Sequence, residues 1–259
     1  MNLPKGVSVF QEEPGGKAFI DMMPYEVSDP NHPDRDDSQE IATAGELWYK
    51  RPFKIHRQVG VNKDTEVCLT SIGKQCPICN YRALRFKEGA PKEETRNYNA
   101  SLRNLYVVIP KDMEKYDEKP HIWNISQAMF QGMLNEEINE NEDLGVFPDL
   151  EEGLSLKIRF KAKTIGTSKP FAETSRIDFE ERDQPYDESI LKKDPDLDKV
   201  LRIKTFEELE KLFFEMEGPN KEEEAPAPVK EKEPPFVPDG DEDECVACGG
   251  TGTNSKGRE

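Results

Sequence analysis

GLSLKIRFKAKT, residues 153–164, is the stretch that decides the fold class of this chain. Apolar side chains occupy every second position, and serine or basic side chains occupy the positions between them: Leu154, Leu156, Ile158 and Phe160 against Ser155, Lys157, Arg159 and Lys161. An alternation with a period of two places one set on each face of a β-strand. The stretch therefore predicts a strand with one face in the core and one in water.

Segments of similar character lie on both sides of this strand. Each is short, rich in β-branched and aromatic residues, and bounded by turn residues, which is typical of strands. The candidates are SRIDFEER (175–182) and, upstream, NLYVVIP (104–110) with HIWNI (121–125) as its hairpin partner, ELWYKRPFKIHRQV (46–59) as one bulged strand or two, and KAFIDMMPYEV (17–27) as an edge strand.

Helical signals are fewer. Apolar residues recur at helical spacing between Ile125 and Ile138 and are interpreted as core, YRALRFKEG (81–89) predicts a short basic helix, and a capping box at Thr205 and Glu208 opens an amphipathic helix. Several short strands with few helices indicate a β-rich α+β fold, a small β-barrel decorated by loops, rather than a parallel sheet of βαβ units.

Charge is distributed unevenly along the 259 residues, whose formal net charge is −17. Residues 45–110 carry 12 basic and 6 acidic residues, whereas residues 219–259 carry 5 basic and 11 acidic ones. We expect an N-terminal arm at 1–15, a folded core at 16–218 and a disordered acidic tail at 219–259. With no apolar run of about 18 residues and no signal peptide, a soluble intracellular protein without membrane contact is expected.

One histidine and three cysteines lie within two dozen positions: His56, Cys68, Cys76 and Cys79. Their spacing, H-x11-C-x7-C-x2-C, suits one tetrahedral Zn²⁺ held by soft ligands. Unligated thiols or a redox CxxC pair are the alternatives. Four protein ligands close the coordination sphere, so the zinc is expected to be structural and the protein not an enzyme. The deaminase pattern H-x-E fails as well, because Arg57 and Gln58 follow His56.

Aromatic and basic residues are interleaved around this cluster. Aromatic rings can stack on unpaired bases while lysine and arginine contact phosphates, so the region is a candidate for binding single-stranded nucleic acid. Alternatively all the rings are packing residues; Trp48 or Phe53, and Phe86, are the first candidates for the core. The candidate contacts are Trp48, Tyr49, Lys50, Arg51, Lys54, Arg57, Tyr81, Arg82, Arg85, Lys87, Tyr98, Arg103 and Tyr106.

GELWYKRPFKIHRQVG followed by EVCLTSIGKQCPICNYR resembles the zinc-containing single-stranded DNA-binding proteins of tailed bacteriophages, the T-even type and its relatives. The resemblance covers roughly residues 16–216. It implies an OB-fold barrel with an inserted zinc subdomain at about 50–90, in which His56, Cys68, Cys76 and Cys79 bind one zinc. It further implies a protein that coats single-stranded DNA during phage replication, recombination and repair in the cytoplasm of the infected bacterial host. The acidic tail would recruit replication and recombination proteins.

Two segments depart from that family. Its T-even members begin with a basic arm that promotes cooperative filaments, whereas MNLPKGVSVFQEEP has one lysine and two glutamates, so self-association on DNA is left open. At the C-terminus, Cys245 and Cys248 form half of a CxxCxGxG zinc module, and two thiolates alone cannot fill a tetrahedral site. A zinc-containing adaptor that binds proteins of the replication or transcription machinery is the rival interpretation.

Overall fold

A computed structural model gives the structure of residues 1, 3, 6–166, 169–192 and 195–215. The described residues belong to one compact unit, Met1–Gly218. The predictions made for the acidic tail and for Cys245 and Cys248 lie outside the described residues.

The described part of the chain is strand-rich with a few helices. Its strands are β1 (Ser8–Phe10), β2 (Lys17–Met23), β3 (Tyr25–Glu26), β4 (Leu47–Trp48), β5 (Arg51–Val59), β6 (Asp64–Val67), β7 (Ser101–Pro110), β8 (His121–Ser126), β9 (Leu154–Lys163) and β10 (Phe171–Glu181). Its α-helices are α1 (Pro77–Lys87), α2 (Lys92–Arg96), α3 (Gln131–Glu140), α4 (Leu197–Val200) and α5 (Phe206–Phe214). Short 3-10 turns occupy Leu69–Ile72, Gln127–Met129, Glu142–Val146 and Glu188–Ile190.

The main sheet is curled into half a barrel around β7. Its strand order is β1-β8-β7-β2-β9-β10, and β5 with β6 branches from β7. β8 runs along one edge of β7, while the other edge is shared: β5 pairs with residues 101–105 and β2 with residues 107–110. Because two strands diverge from one edge of β7, the sheet bends there into two halves.

Several sequence predictions are confirmed at the level of elements. β9 alternates as predicted from Leu156 to Lys161, although Ser155, predicted on the water face, is buried. It pairs with β10, and β7 forms a hairpin with β8. The segment around Pro52 forms two strands, β4 and β5. The capping box at α5 is complete: Glu208 N donates to Thr205 Oγ1 at 3.2 Å, and Thr205 N donates to Glu208 Oε2 at 2.9 Å.

Two predictions about the N-terminal part are wrong. β2 was expected at an edge but lies inside the sheet, hydrogen-bonded to β7 on one side and β9 on the other. Residues 8–10 were assigned to a separate arm, yet β1 pairs in parallel with β8 and Phe10 is buried. In both cases apolar side chains are sequestered by strands that are distant in sequence.

The two faces of β7 enter different cores. Tyr106 and Val108 pack with Trp123 in one core, and Leu105 and Val107 pack with Phe53 in the other. The apolar residues predicted at helical spacing between Ile125 and Ile138 belong to the first core, as expected for packing residues. Only those from Met133 onward lie on α3, because Ile125 belongs to β8 and the helix begins at Gln131. A third, smaller core lies between α1 and α5 and contains two of the clustered cysteines.

Candidate metal centre and neighbouring surfaces

The four predicted ligands converge from separate elements. His56 lies on β5, Cys68 follows β6, Cys76 immediately precedes α1 and Cys79 lies in the first turn of that helix. Pro77 occupies the first position of α1, where its fixed φ favours helix initiation and its missing N–H costs nothing. The helix therefore begins between the two cysteines, which places both sulfurs on the same side of the turn.

The geometry of the cluster fits a single tetrahedral ion. The four candidate ligand atoms all lie within 4.8 Å of one another. His56 Nε2 is 3.4 Å from Cys76 Sγ and 3.5 Å from Cys79 Sγ, and the Sγ atoms of Cys68 and Cys79 are 3.5 Å apart. A tetrahedron with metal–sulfur bonds of about 2.3 Å and a metal–nitrogen bond of about 2.0 Å has edges of about 3.5–3.8 Å. The cluster is therefore a possible metal site.

The electrostatics of the cluster also call for a cation. Burial lowers the pKa of His56, but hydrogen bonding to Cys68 and Cys76 outweighs this and raises it to about 9. Hydrogen bonds from Cys68 and Cys79 lower the pKa of Cys76, whereas hydrogen bonding to Cys68 and Cys76 raises the pKa of Cys79. Three neighbouring thiolates repel each other in a buried site unless a positive ion lies among them. A bound dication would neutralise that repulsion.

α5 covers the cluster, a relationship that the sequence did not indicate. Leu209 and Phe213 of this helix pack with Cys68, Cys76 and Ile78 in the third core. Outside the helix, Thr70 Oγ1 lies 3.0 Å from Cys68 Sγ, and the amide of Cys68 donates to Lys54 O at 2.9 Å. The amphipathic pattern of α5 was visible in the sequence, but a pattern shows that a face is buried and not what buries it.

Arg51 and Tyr106 are not surface residues, which corrects their assignment as nucleic-acid contacts. The Arg51 side chain is only 1% exposed; its Nε lies 2.6 Å from Asp198 Oδ1 and its Nη2 lies 3.0 Å from Asp29 Oδ2. Tyr106 is fully buried and donates its hydroxyl to Gln131 Oε1 at 2.6 Å. Arg51 therefore connects β5 to the segment containing α4, and Tyr106 is a core tyrosine whose hydroxyl group is hydrogen-bonded.

Other basic candidates are already paired with carboxylates. Lys50 Nζ lies 3.1 Å from Asp34 Oδ2. Arg85 contacts Glu88 at 2.7 Å and Glu94 at 2.9 Å. Because each of these cations has a protein anion beside it, their net contribution to a positive surface is small.

The aromatic candidates near the metal cluster hold helices together. Tyr81 lies edge-on to Tyr98 and to Phe213, with ring centroids 5.2 Å apart in both pairs. Both tyrosines are half-buried, as is Arg82 on the same helix. Phe53 is buried, as expected for core, whereas Phe86 is 64% exposed and its assignment to the core is wrong.

The remaining cations keep their charge at the surface. Arg57 and Lys87 are exposed and Lys54 is half-buried, and none of the three forms an ion pair with a described residue. Arg103 is half-buried and donates to Asn124 Oδ1 and to Asn124 O, both at 2.7 Å. Burial, together with the nearby charge of Arg57, lowers the pKa of Arg103. Arg103 pairs with Phe53 in the middle of the β5–β7 ladder, and Arg57 lies beyond its last pair. The charge of Arg57 therefore acts on Arg103 from further along β5, opposed by the carboxylate of Glu12.

Trp48 and Tyr49 lie elsewhere, on an open groove. Trp48 Nε1 donates to Asp34 Oδ2 at 3.0 Å, and the hydroxyl of Tyr49 accepts from Gln131 Nε2 at 2.8 Å. The groove that they line has a volume of about 1300 Å³. The structure thus divides the predicted contacts into one set near the metal cluster and another on this groove.

Comparison with known proteins does not identify the chain. No model of a known protein family matches it. No curated protein matches it in sequence either. Among the described residues no helix is long and apolar enough to cross a membrane. The function must therefore be argued from the site.

Proposed function

We propose that this protein binds single-stranded DNA with little sequence preference, through the surface where Arg57 and Arg103 lie beside the metal cluster. The observation that carries the proposal is that the charge of Arg57 acts on Arg103 and lowers its pKa, while neither guanidinium group forms an ion pair among the described residues. Glu12 offsets the repulsion at Arg103 in smaller measure than Arg57 produces it, and a phosphate backbone would relieve it further. Lys54 on the same strand as Arg57 and Lys87 on α1 are further cations without an ion pair among the described residues, and we assign them to the same surface.

The metal is proposed to be zinc, bound by His56, Cys68, Cys76 and Cys79. Three thiolates and one imidazole form a soft donor set that favours Zn²⁺ over the oxygen-seeking Mg²⁺ and Ca²⁺. When bound, the ion supplies a rigid cross-link between β5, the end of β6 and α1. Four protein ligands leave no position for a water or substrate, which supports a structural ion and a protein that is not an enzyme.

The curled sheet supports the finer proposal of an OB-type barrel, a fold whose members often bind single strands on one sheet face. By the resemblance noted above, we propose that the protein coats single-stranded DNA during phage replication, recombination and repair, in the cytoplasm of the infected bacterial host. Self-association on DNA and recruitment of replication and recombination proteins by the segment 219–259 belong to the same proposal.

The test is a fluorescence anisotropy titration of the full chain with labelled oligo-dT and with a duplex of equal length. Tighter binding of oligo-dT is expected, and the affinity should fall as salt rises. If about five phosphates are neutralised, the slope of log K against log[salt] is about −3.5 for a single strand. Arg57→Ala should make that slope shallower by about 0.7, because one phosphate contact is lost.

Lys161→Glu serves as a matched control for Arg57→Glu. Lys161 is an exposed cation on β9, which pairs with neither β5 nor β7. Reversal at Arg57 should weaken oligo-dT binding about tenfold, whereas reversal at Lys161 should change it by less than about twofold. Equal affinity for duplex and single strand, or a binding constant that does not respond to salt, would contradict the proposal and favour the protein adaptor.

A further inference from the structure

The groove lined by Trp48 and Tyr49 has an aromatic and apolar lining. Tyr49 packs edge-on against Phe147 with ring centroids 5.0 Å apart, and Tyr186 contributes a further half-buried ring. Leu47, which is 44% exposed, adds an apolar surface beside them. Aromatic and apolar side chains that remain accessible in a concave surface are typical of a binding site.

All of the charged residues that line this groove are acidic: Asp149, Glu151, Asp187 and Glu188. None of these four carboxylates forms an ion pair with a described lysine or arginine. Two of them are oriented by the backbone: Asp149 Oδ1 accepts from Glu151 N at 2.8 Å, and Asp187 Oδ1 accepts from Ser189 N at 2.9 Å. The groove therefore combines an apolar lining with four carboxylates that have no ion pair among the described residues, of which Asp149 has a cation nearby, Arg182.

We propose that this groove is a docking site for an extended, arginine- or lysine-bearing segment of a partner protein. Cationic side chains would be attracted by the four carboxylates and would lie over the face of Trp48. The rings of Tyr49 and Tyr186 already have Lys50 and Arg182 of this chain 5.7 Å and 5.3 Å from their centroids, which shows that rings in this region attract cations. An apolar residue between the cations would contact the lining around Leu47 and Phe147, as anchors do in other peptide-binding grooves. The negative charge of the groove favours a positively charged partner, and its aromatic lining favours a chain that carries apolar side chains as well.

The size and charge of the groove favour a cationic peptide over a small molecule or a nucleic acid. Pockets for small molecules have volumes of about 300–1,000 Å³. The present volume of about 1300 Å³ is larger, which suits several residues of a peptide. A polyanion such as DNA would be repelled by the four carboxylates, so Trp48 and Tyr49 are better suited to a cationic peptide than to stacked bases. The site is thus distinct from the surface proposed for DNA.

The probe is a fluorescein-labelled peptide, RPLPRLPR, compared with the neutral SPLPSLPS and the acidic EPLPELPE in anisotropy titrations of the full chain. The cationic peptide is expected to bind at least tenfold more tightly than the neutral one, and this preference should shrink between low and high salt. Leu47→Ser should weaken binding about fivefold, because an exposed apolar contact is removed without disturbing the core.

The double variant Glu151→Lys/Glu188→Lys tests the position of the site. It should weaken binding of the cationic peptide at least tenfold. Glu93→Lys/Glu114→Lys makes the same change in net charge at exposed positions outside the groove and should have an effect of less than about twofold. Unchanged melting temperatures show that both variants remain folded. Equal effects of the two double variants, equal binding of the cationic and neutral peptides, or no binding of RPLPRLPR below about 1 mM would overturn the proposal.

Discussion

Replacing Arg51 or Arg57 with methionine removes the same charge from the same strand, yet the two changes should have opposite consequences. Arg51→Met leaves Asp198, whose side chain is 4% exposed, without the cation that lies 2.6 Å away. Breaking a buried ion pair by removing one partner costs about 3–5 kcal/mol. In a folded unit of this size, about 2–4 °C of melting temperature are lost per kcal/mol, so a decrease of about 6–20 °C is expected.

Arg57→Met should leave stability almost unchanged, because an exposed side chain without an ion pair among the described residues is removed. It should weaken binding to oligo-dT instead. Urea denaturation of the two variants measures the change in stability. Anisotropy titrations with oligo-dT, at a temperature where both variants are folded, measure the change in DNA affinity. If Arg51→Met kept wild-type stability and lost DNA affinity, the structural role assigned to Arg51 would be refuted, and the surface near Arg57 would lose its claim to be the binding site.

Three further changes probe other parts of the structure. Cys76→Ser should abolish tight binding of about one zinc per chain and lower the melting temperature, which elemental analysis and calorimetry measure; unchanged metal content would refute the ligand assignment. Burial, followed by the charge of Arg51, lowers the pKa of His32 below its ordinary 6.5. Below that pH the unfolded chain takes up a proton that the folded chain excludes, so stability is full above pH 6.5 and falls as the pH decreases. His32→Gln should flatten that loss in urea midpoints measured from pH 7.5 to 5, and an unchanged pH profile would contradict this reasoning. Gly60→Ala should destabilise the protein more than Gly73→Ala: both residues have positive φ, +74° and +69°, but only at Gly60 would a Cβ lie 2.7 Å from Leu212 Cδ1 on α5. Equal denaturation midpoints for the two glycine variants would show that the contact with α5 is unimportant.

Local patterns in the sequence were sufficient for several of the elements and for the four residues of the possible metal site. The alternation in β9 and the hairpin of β7 and β8 follow from the period of two that a half-buried strand requires. The cysteine and histidine cluster was visible because three of the ligands lie within a dozen residues and a short CxxC turn brings two sulfurs together. Such features depend on residues close in sequence, so the sequence alone determines them.

Only the tertiary structure decided which charges and rings are available to a partner. Arg51 and Arg57 look alike in the sequence, but Asp198 and Asp29 pack against Arg51 and bury it. Arg57 is exposed, because β5 bends beyond His56, where Gln58 has a φ of +57°. The same holds for Trp48, whose acidic neighbours in the groove come from two loops far along the chain. Burial and local charge are properties of the residues that fold against a side chain, and no local pattern specifies which residues those are.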